Sequence, residues 1–135
     1  MSKGQNGPLY SQQPRKVKNR GIKIAIVDDI AELSRLYSTA LKLYGHEIAF
    51  IASSGEEAVE AAKQGKFSDV ECLIIDYRMA GMNGLEAAEM IARSTPHVRI
   101  LIASAETSIR DQVEAVGFRY ISKPFTMTEL VDRIL

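Results

Sequence analysis

The sequence predicts an α/β domain: a doubly wound parallel sheet of five strands with five helices packed over its two faces. Three observations carry that prediction. Short apolar, β-branched runs recur along the chain, and each is followed by a stretch with helical spacing of its apolar residues. The run of Val70 and Cys72 to Ile75 has no polar alternation, as expected of a strand buried on both faces. Strands this short and apolar, separated by helices, imply parallel βαβ units and a sheet covered on both faces.

Taken in order, residues 1–20 come first. They are rich in Gly, Gln, Asn, Pro and Ser, with only Leu9, Tyr10 and Val17 as sizeable apolar groups. Such a segment buries too little to offset its ordering entropy, and the sequence predicts a disordered basic tail there. The folded domain is expected over 21–135. Lys23 to Val27 is a short β-branched strand ending at Asp28-Asp29. Ile30, Leu33, Leu36, Tyr37, Ala40, Leu41 and Tyr44 then recur at helical spacing until Gly45 stops the helix. Glu47 to Ala52 is the second strand. Ser54 and Glu57 have the spacing of a capping box and open a helix that runs to about Gln64.

The central strand follows and ends at Asp76, where Arg78, Gly81 and Gly84 build a loop. A helix is predicted from about Leu85 to Ala92, broken by Thr95-Pro96. Val98 to Ala103 is the fourth strand, ending at Ser104-Ala105-Glu106, and a helix from about Ser108 to Val116 stops at Gly117. Phe118 to Ser122 leads into Lys123-Pro124-Phe125. Thr126 and Glu129 make a further capping box, and the last helix is expected from Met127 to the last residue, Leu135. His46 and His97 each follow a helix-ending residue and read as surface loop residues. Cys72 reads as a core thiol.

Charge narrows the function classes. All 17 acids follow Gly21, whereas Lys3, Arg15, Lys16, Lys18 and Arg20 precede it, so the predicted domain is net acidic although the whole chain is formally neutral. An acidic body argues against a nucleic-acid surface on this domain. The single cysteine, Cys72, forbids an internal disulfide and suits a reducing cytoplasm. No stretch reaches the roughly 18 apolar residues of a membrane span, so no membrane partner is expected.

In a parallel sheet wound this way every strand's C-terminal end lies on one edge, where ligands bind. Four of the five predicted strand ends carry chemistry: Asp28-Asp29, Asp76, Ser104 and Lys123. Three ionised carboxylates crowded to about 4 Å repel by about 4 kcal/mol per pair at an effective dielectric near 20. One lysine does not offset that, so a proton or a divalent cation is required. Oxygen donors without His or Cys favour a hard ion such as Mg2+. Beside Mg2+ and a lysine, Asp76 is a plausible nucleophile toward phosphorus, with Ser104 donating to a phosphoryl oxygen.

These residues together resemble the receiver domain of two-component response regulators, the CheY-like family. The resemblance covers about 21–135. It rests on Asp28-Asp29 after the first strand, Asp76 after the third, Met79, Gly81 and Gly84 in the next loop, Ser104-Ala105 after the fourth and Lys123-Pro124-Phe125 after the fifth. It implies a flavodoxin-like fold with strand order 2-1-3-4-5 and Asp76 as phosphoryl acceptor. Asp29, Asp76 and the backbone carbonyl of Arg78 would bind Mg2+ (or Mn2+) directly, with Asp28 acting through a metal-bound water. Lys123 would pair with the phosphoryl group, and its bond to Pro124 is expected to be cis. Ser104 would move toward the phosphate, and Tyr120 would answer as the aromatic switch on the face formed by the fourth helix, fifth strand and fifth helix. Arg78, Ala105 and Glu106 would modulate the attached phosphoryl group's lifetime, with Arg78 and Glu106 paired over the site.

The implied phosphodonor is a phosphohistidine on a sensor histidine kinase or His-phosphotransfer protein. The implied output is a downstream protein, or a dimer, on the Tyr120 face. The domain would act on its own Asp76 and be no enzyme in the ordinary sense. Ala80 stands where the family usually has proline, Asn83 where it often has aspartate, and Ser104 in place of threonine. The alternative is a pseudo-receiver, an interaction module that is never phosphorylated. A haloacid-dehalogenase-like phosphatase needs a second Asp two residues after its nucleophile, where Asp76 has Arg78, Asp28 has Ile30 and Asp29 has Ala31. A flavodoxin-like FMN carrier needs a hydroxyl- and glycine-rich phosphate loop where this chain has Asp28-Asp29.

Overall fold

A computed structural model of the chain describes residues 20–135. The tail predicted over 1–20 lies outside the described residues except for Arg20, whose guanidinium pairs with Glu71 at 3.1 Å. Five strands form one sheet: β1 (Lys23–Val27), β2 (Glu47–Ala52), β3 (Cys72–Asp76), β4 (Arg99–Ser104) and β5 (Arg119–Ser122). Their order is β2-β1-β3-β4-β5, all neighbours parallel. The helices between them are α1 (Ala31–Leu43), α2 (Gly55–Lys63), α3 (Gly84–Ser94), α4 (Arg110–Ala115) and α5 (Met127–Arg133).

The period of two in each strand divides the core into two layers. Ala25, Val27, Leu73, Ile75, Ile100 and Ile102 face one side and meet Ala58, Ala87, Ile91 and Val113 of α2, α3 and α4. Ile24, Ile26, Cys72, Ile74, Leu101 and Ile121 face the other, under Tyr37 and Leu41 of α1 and Leu130 and Ile134 at α5. Each fully buried Ile or Leu contributes about 1.5–3 kcal/mol. Cys72 lies in the second layer, and burial pushes its thiol up to about 12, so it stays protonated. Among the described residues no helix is long and apolar enough to cross a membrane.

Several local predictions are corrected. The apolar stripe read on α1 is too wide: Ile30, Leu36 and Tyr44 are about half exposed. Glu57 does not complete a box with Ser54. The Ser54 hydroxyl accepts from the Glu57 N–H, but the Glu57 carboxylate accepts from the N–H and hydroxyl of Ser53. The predicted start of α4 is instead a 3₁₀ turn over Thr107–Ile109, the tighter winding common at helix entrances. The α3 helix runs on to Ser94, where Thr95 N–H and hydroxyl both donate to the Ile91 carbonyl, and Pro96 ends it. The α5 helix ends at Arg133 rather than at the last residue.

His46 is not a surface residue. It is 7% exposed, and its Nδ1 accepts from the Ile22 N–H at 3.1 Å, joining the α1–β2 turn to the start of β1. Periodicity could not reveal this because the residue lies between elements. His97 is exposed as predicted, and its Nε2 lies 3.0 Å from the Phe67 carbonyl oxygen.

Candidate functional site

Strand order places β1 and β3 side by side at the centre, with the chain leaving them for opposite faces. Their C-terminal ends open the crevice where ligands bind in this kind of sheet. Asp28 directly follows β1, and Asp76 is the last residue of β3, held in register opposite Ala103. Asp28 is 3% exposed and Asp76 is 7% exposed, whereas Asp29 faces solvent. One carboxylate oxygen from each of the three lies within 4.8 Å of the other two. The Ile30 N–H donates to Asp28 Oδ1 at 2.9 Å, which fixes the turn into α1 and leaves the other oxygen facing the cluster.

Lys123 enters from the end of β5. Its Nζ lies 2.5 Å from Asp76 Oδ1 and 4.0 Å from Asp28 Oδ2. Burial pushes the carboxyls of Asp28 and Asp76 above the ordinary carboxylate range, and the neighbouring acids add to it. Hydrogen bonding and Lys123 pull the other way without cancelling the burial. Burial also works against the Lys123 ammonium. The Asp76 hydrogen bond and the Asp76 and Asp28 charges outweigh that, so it is held above its ordinary value. The Lys123–Pro124 peptide is cis.

The remaining predicted residues meet at the next strand end. Ser104 is buried and its Oγ accepts from the Glu106 N–H at 2.9 Å, leaving the hydroxyl hydrogen for another acceptor. The Ser104 carbonyl accepts from the Lys123 N–H and from the Tyr120 hydroxyl, both at 3.0 Å. Tyr120 is 3% exposed, its ring turned inward, and its hydroxyl also lies 3.1 Å from the Glu106 carbonyl. Tyr120 thus fastens the loop carrying Ser104, Ala105 and Glu106. Arg78 and Glu106 form an ion pair through Nε and Nη2 of the arginine. Ala105 is exposed and lines a cleft of about 330 Å³ with Lys123, Leu33, Leu36, Tyr37 and Phe125.

Two glycine-loop details position Asp76. A Cβ on Gly84 would sit 2.2 Å from the Asp76 carbonyl oxygen and 2.9 Å from Tyr77 Cα, so only glycine lets α3 start against the acceptor strand. Asn83, whose place sequence reasoning marked only as a departure, caps α3: its side chain accepts from Glu86 N–H at 2.9 Å, and its N–H donates to Glu86 at 3.1 Å. The pattern Asn-x-x-Glu before an apolar run carried that signal.

Chemically, the cluster is an oxygen-only donor set beside one ammonium, the kind a hard divalent cation takes. Its carboxylates fit such an ion, because burial and mutual repulsion leave them short of positive charge.

Comparison with known proteins agrees with this geometry. The family model for the response regulator receiver domain matches residues 24–135. Chemotaxis protein CheY of Thermotoga maritima is 29% identical over 117 residues, covering 84% of this chain and 95% of that protein. The transcriptional regulatory protein YvrH of Bacillus subtilis is 35% identical over 82% of this chain, but this chain spans only 46% of YvrH. Among solved structures, the response regulator TrrA of Thermotoga maritima, in complex with Mg2+ and BeF, superposes with a TM-score of 0.71 at 28% identity. That match covers 84% of this chain and 99% of TrrA. The chain belongs to the response regulator receiver domain family, with the CheY-like form of the flavodoxin-like fold.

Proposed function

We propose that this receiver is a phospho-acceptor: Asp76 takes a phosphoryl group from a phosphohistidine on a sensor histidine kinase or His-phosphotransfer protein. The observation that carries the reading is Asp76 itself, a buried carboxylate at a strand end, 2.5 Å from an ammonium and crowded by two further acids. An Asp76 oxygen attacks phosphorus, the P–N bond breaks, and its electron pair and a proton end on the imidazole. Lys123 neutralises charge on the transferred group, and the Ser104 hydroxyl donates to one of its oxygens. Mg2+ (or Mn2+), held by Asp28, Asp29, Asp76 and the Arg78 backbone carbonyl, would supply the remaining positive charge. The chain modifies only its own Asp76 and turns over no separate substrate.

The Arg78–Glu106 pair would set how long the acyl phosphate survives by screening it from attacking water. Drawing Ser104 toward the phosphoryl group pulls on the loop that Tyr120 fastens, and so biases the surface of α4, β5 and α5. Arg110, Glu114, Arg119 and Arg133 on that surface would meet a downstream protein or a second copy. The apolar cleft beside Lys123, lined by Leu33, Leu36, Tyr37, Phe125 and Met127, would seat the phosphodonor in the cytoplasm. Retention of all three acids and the lysine supports this reading over a pseudo-receiver, which binds partners without being phosphorylated. Phosphoramidate, a small P–N donor, tests it: with Mg2+ it should place a hydroxylamine-labile phosphate on Asp76. A protein that binds Mg2+ yet takes none would contradict it.

A further inference from the structure

The loop joining β3 to α3 carries the Arg78 carbonyl, and few interactions hold it. Its first end is fixed where Tyr77 N–H donates to Ala103 and Gly84 N–H donates to Tyr77, at 2.9 and 2.7 Å. Among the described residues, the backbone N–H groups of 78–82 make one hydrogen bond. Met82 N–H donates to Glu56 Oε2 at 2.9 Å. Glu56 belongs to a different element, the first turn of α2.

The fit around that bond is close. Gly81 has φ +78°, and a Cβ on it would lie 2.7 Å from Glu56 Oε2, so the carboxylate occupies the notch that glycine leaves. A Cβ on Gly55, the residue before Glu56, would meet the Met82 carbonyl oxygen at 3.2 Å and Met82 Cβ at 3.3 Å. The entrance of α2 is therefore seated directly on the loop. The Met82 hydrogen bond holds the Glu56 carboxyl below its ordinary range, which agrees with a bond to its charged form. Glu56 carries no signal in the sequence, where an acid in a helix's first turn is expected for the macrodipole alone.

We propose that Glu56 is a positioning residue for the metal site. It pins the far end of the loop, so residues 78–81 are tied down at both ends and the Arg78 carbonyl is kept in place for the ion. The inference rests on the phospho-acceptor reading, since it assumes that this carbonyl completes the ligand set. A bond from outside a metal's immediate ligands changes affinity by about ten- to a hundredfold when lost.

The test is Mg2+ titration by calorimetry of the intact chain, wild type, Glu56→Ala and Glu56→Gln, with urea unfolding of the metal-free proteins alongside. Glu56→Ala should raise the Mg2+ Kd by about tenfold, while its metal-free unfolding midpoint stays at wild type because the side chain is exposed. Glu56→Gln keeps an oxygen for the Met82 N–H and should keep the wild-type Kd. An unchanged Kd in Glu56→Ala would overturn the inference, as would equal losses in Ala and Gln. Wild type that binds no Mg2+ would instead overturn the reading beneath it.

Discussion

Gly84→Ala is the substitution for which the structure gives the sharpest expectation. Alanine is the best helix former and Gly84 opens α3, so propensity alone favours the change by up to about 1 kcal/mol. Packing opposes it. The added methyl would sit 2.2 Å from the Asp76 carbonyl oxygen and 2.9 Å from Tyr77 Cα, both backbone atoms that cannot rotate away. Overpacking of this kind costs about 1–3 kcal/mol, and the backbone contact places this case at the upper end. Moving α3 off the strand also loosens the 2.7 Å bond from Gly84 N–H to the Tyr77 carbonyl, worth about 1 kcal/mol. The net loss is about 3 kcal/mol, a fall of about 2 M in urea midpoint at a slope near 1.5 kcal/mol/M. Gly65→Ala is the control: Gly65 has positive φ, unlike Gly84, but nothing lies within 4 Å of its added methyl, so it should cost only about 1 kcal/mol of backbone strain. Phosphorylation should slow in Gly84→Ala as well, since displacement of a reacting group by about 1 Å costs about a hundredfold. Urea curves within 1 kcal/mol of wild type, with normal phosphorylation, would refute the steric argument.

Other consequences follow from the buried charges. Burial raises the Asp28 and Asp76 carboxyls in the folded state, so without metal wild type should lose stability as pH rises from the ordinary carboxylate range through their raised values. Asp28→Asn should flatten that fall, and saturating Mg2+ should reverse it; parallel urea midpoints in wild type and variant from pH 4 to 7 would contradict this. His46 is held below its ordinary value by burial, so the stability it gives is present at neutral pH and lost as pH falls below the usual histidine range. Against His46→Gln, wild type should lose stability between pH 7 and pH 5, read from the same unfolding curves, and parallel curves would contradict this. Arg78→Ala and Glu106→Ala should each change acyl-phosphate lifetime several-fold; unchanged dephosphorylation rates in both would remove the ion pair from the account.

Much of this was legible in the sequence because the signals were periodic or terminal. Five apolar runs followed by helical spacing fix strands and helices, and the polar residue ending each run names the rim of the sheet. Asp28, Asp29, Asp76, Ser104 and Lys123 therefore converge as expected. What the sequence concealed depends on contacts between elements. His46 bonds across to Ile22, Glu56 reaches from α2 to Met82, and Ile30 and Leu36 stay exposed on a helix whose apolar stripe promised burial. None of these follows from local spacing, since each partner lies on another element or is missing altogether. The start of α4 departs from the predicted spacing for a local reason: Thr107–Ile109 winds as a 3₁₀ turn.

The central claim is that Asp76 accepts a phosphoryl group with help from a metal held by its neighbours. Intact mass after incubation with acetyl phosphate, with and without Mg2+, tests it in wild type and Asp76→Asn. The account predicts a gain of one phosphoryl group in wild type that requires Mg2+ and vanishes in Asp76→Asn. Folded wild type that gains no mass under any of these conditions would contradict it and leave the cluster as a site for binding alone.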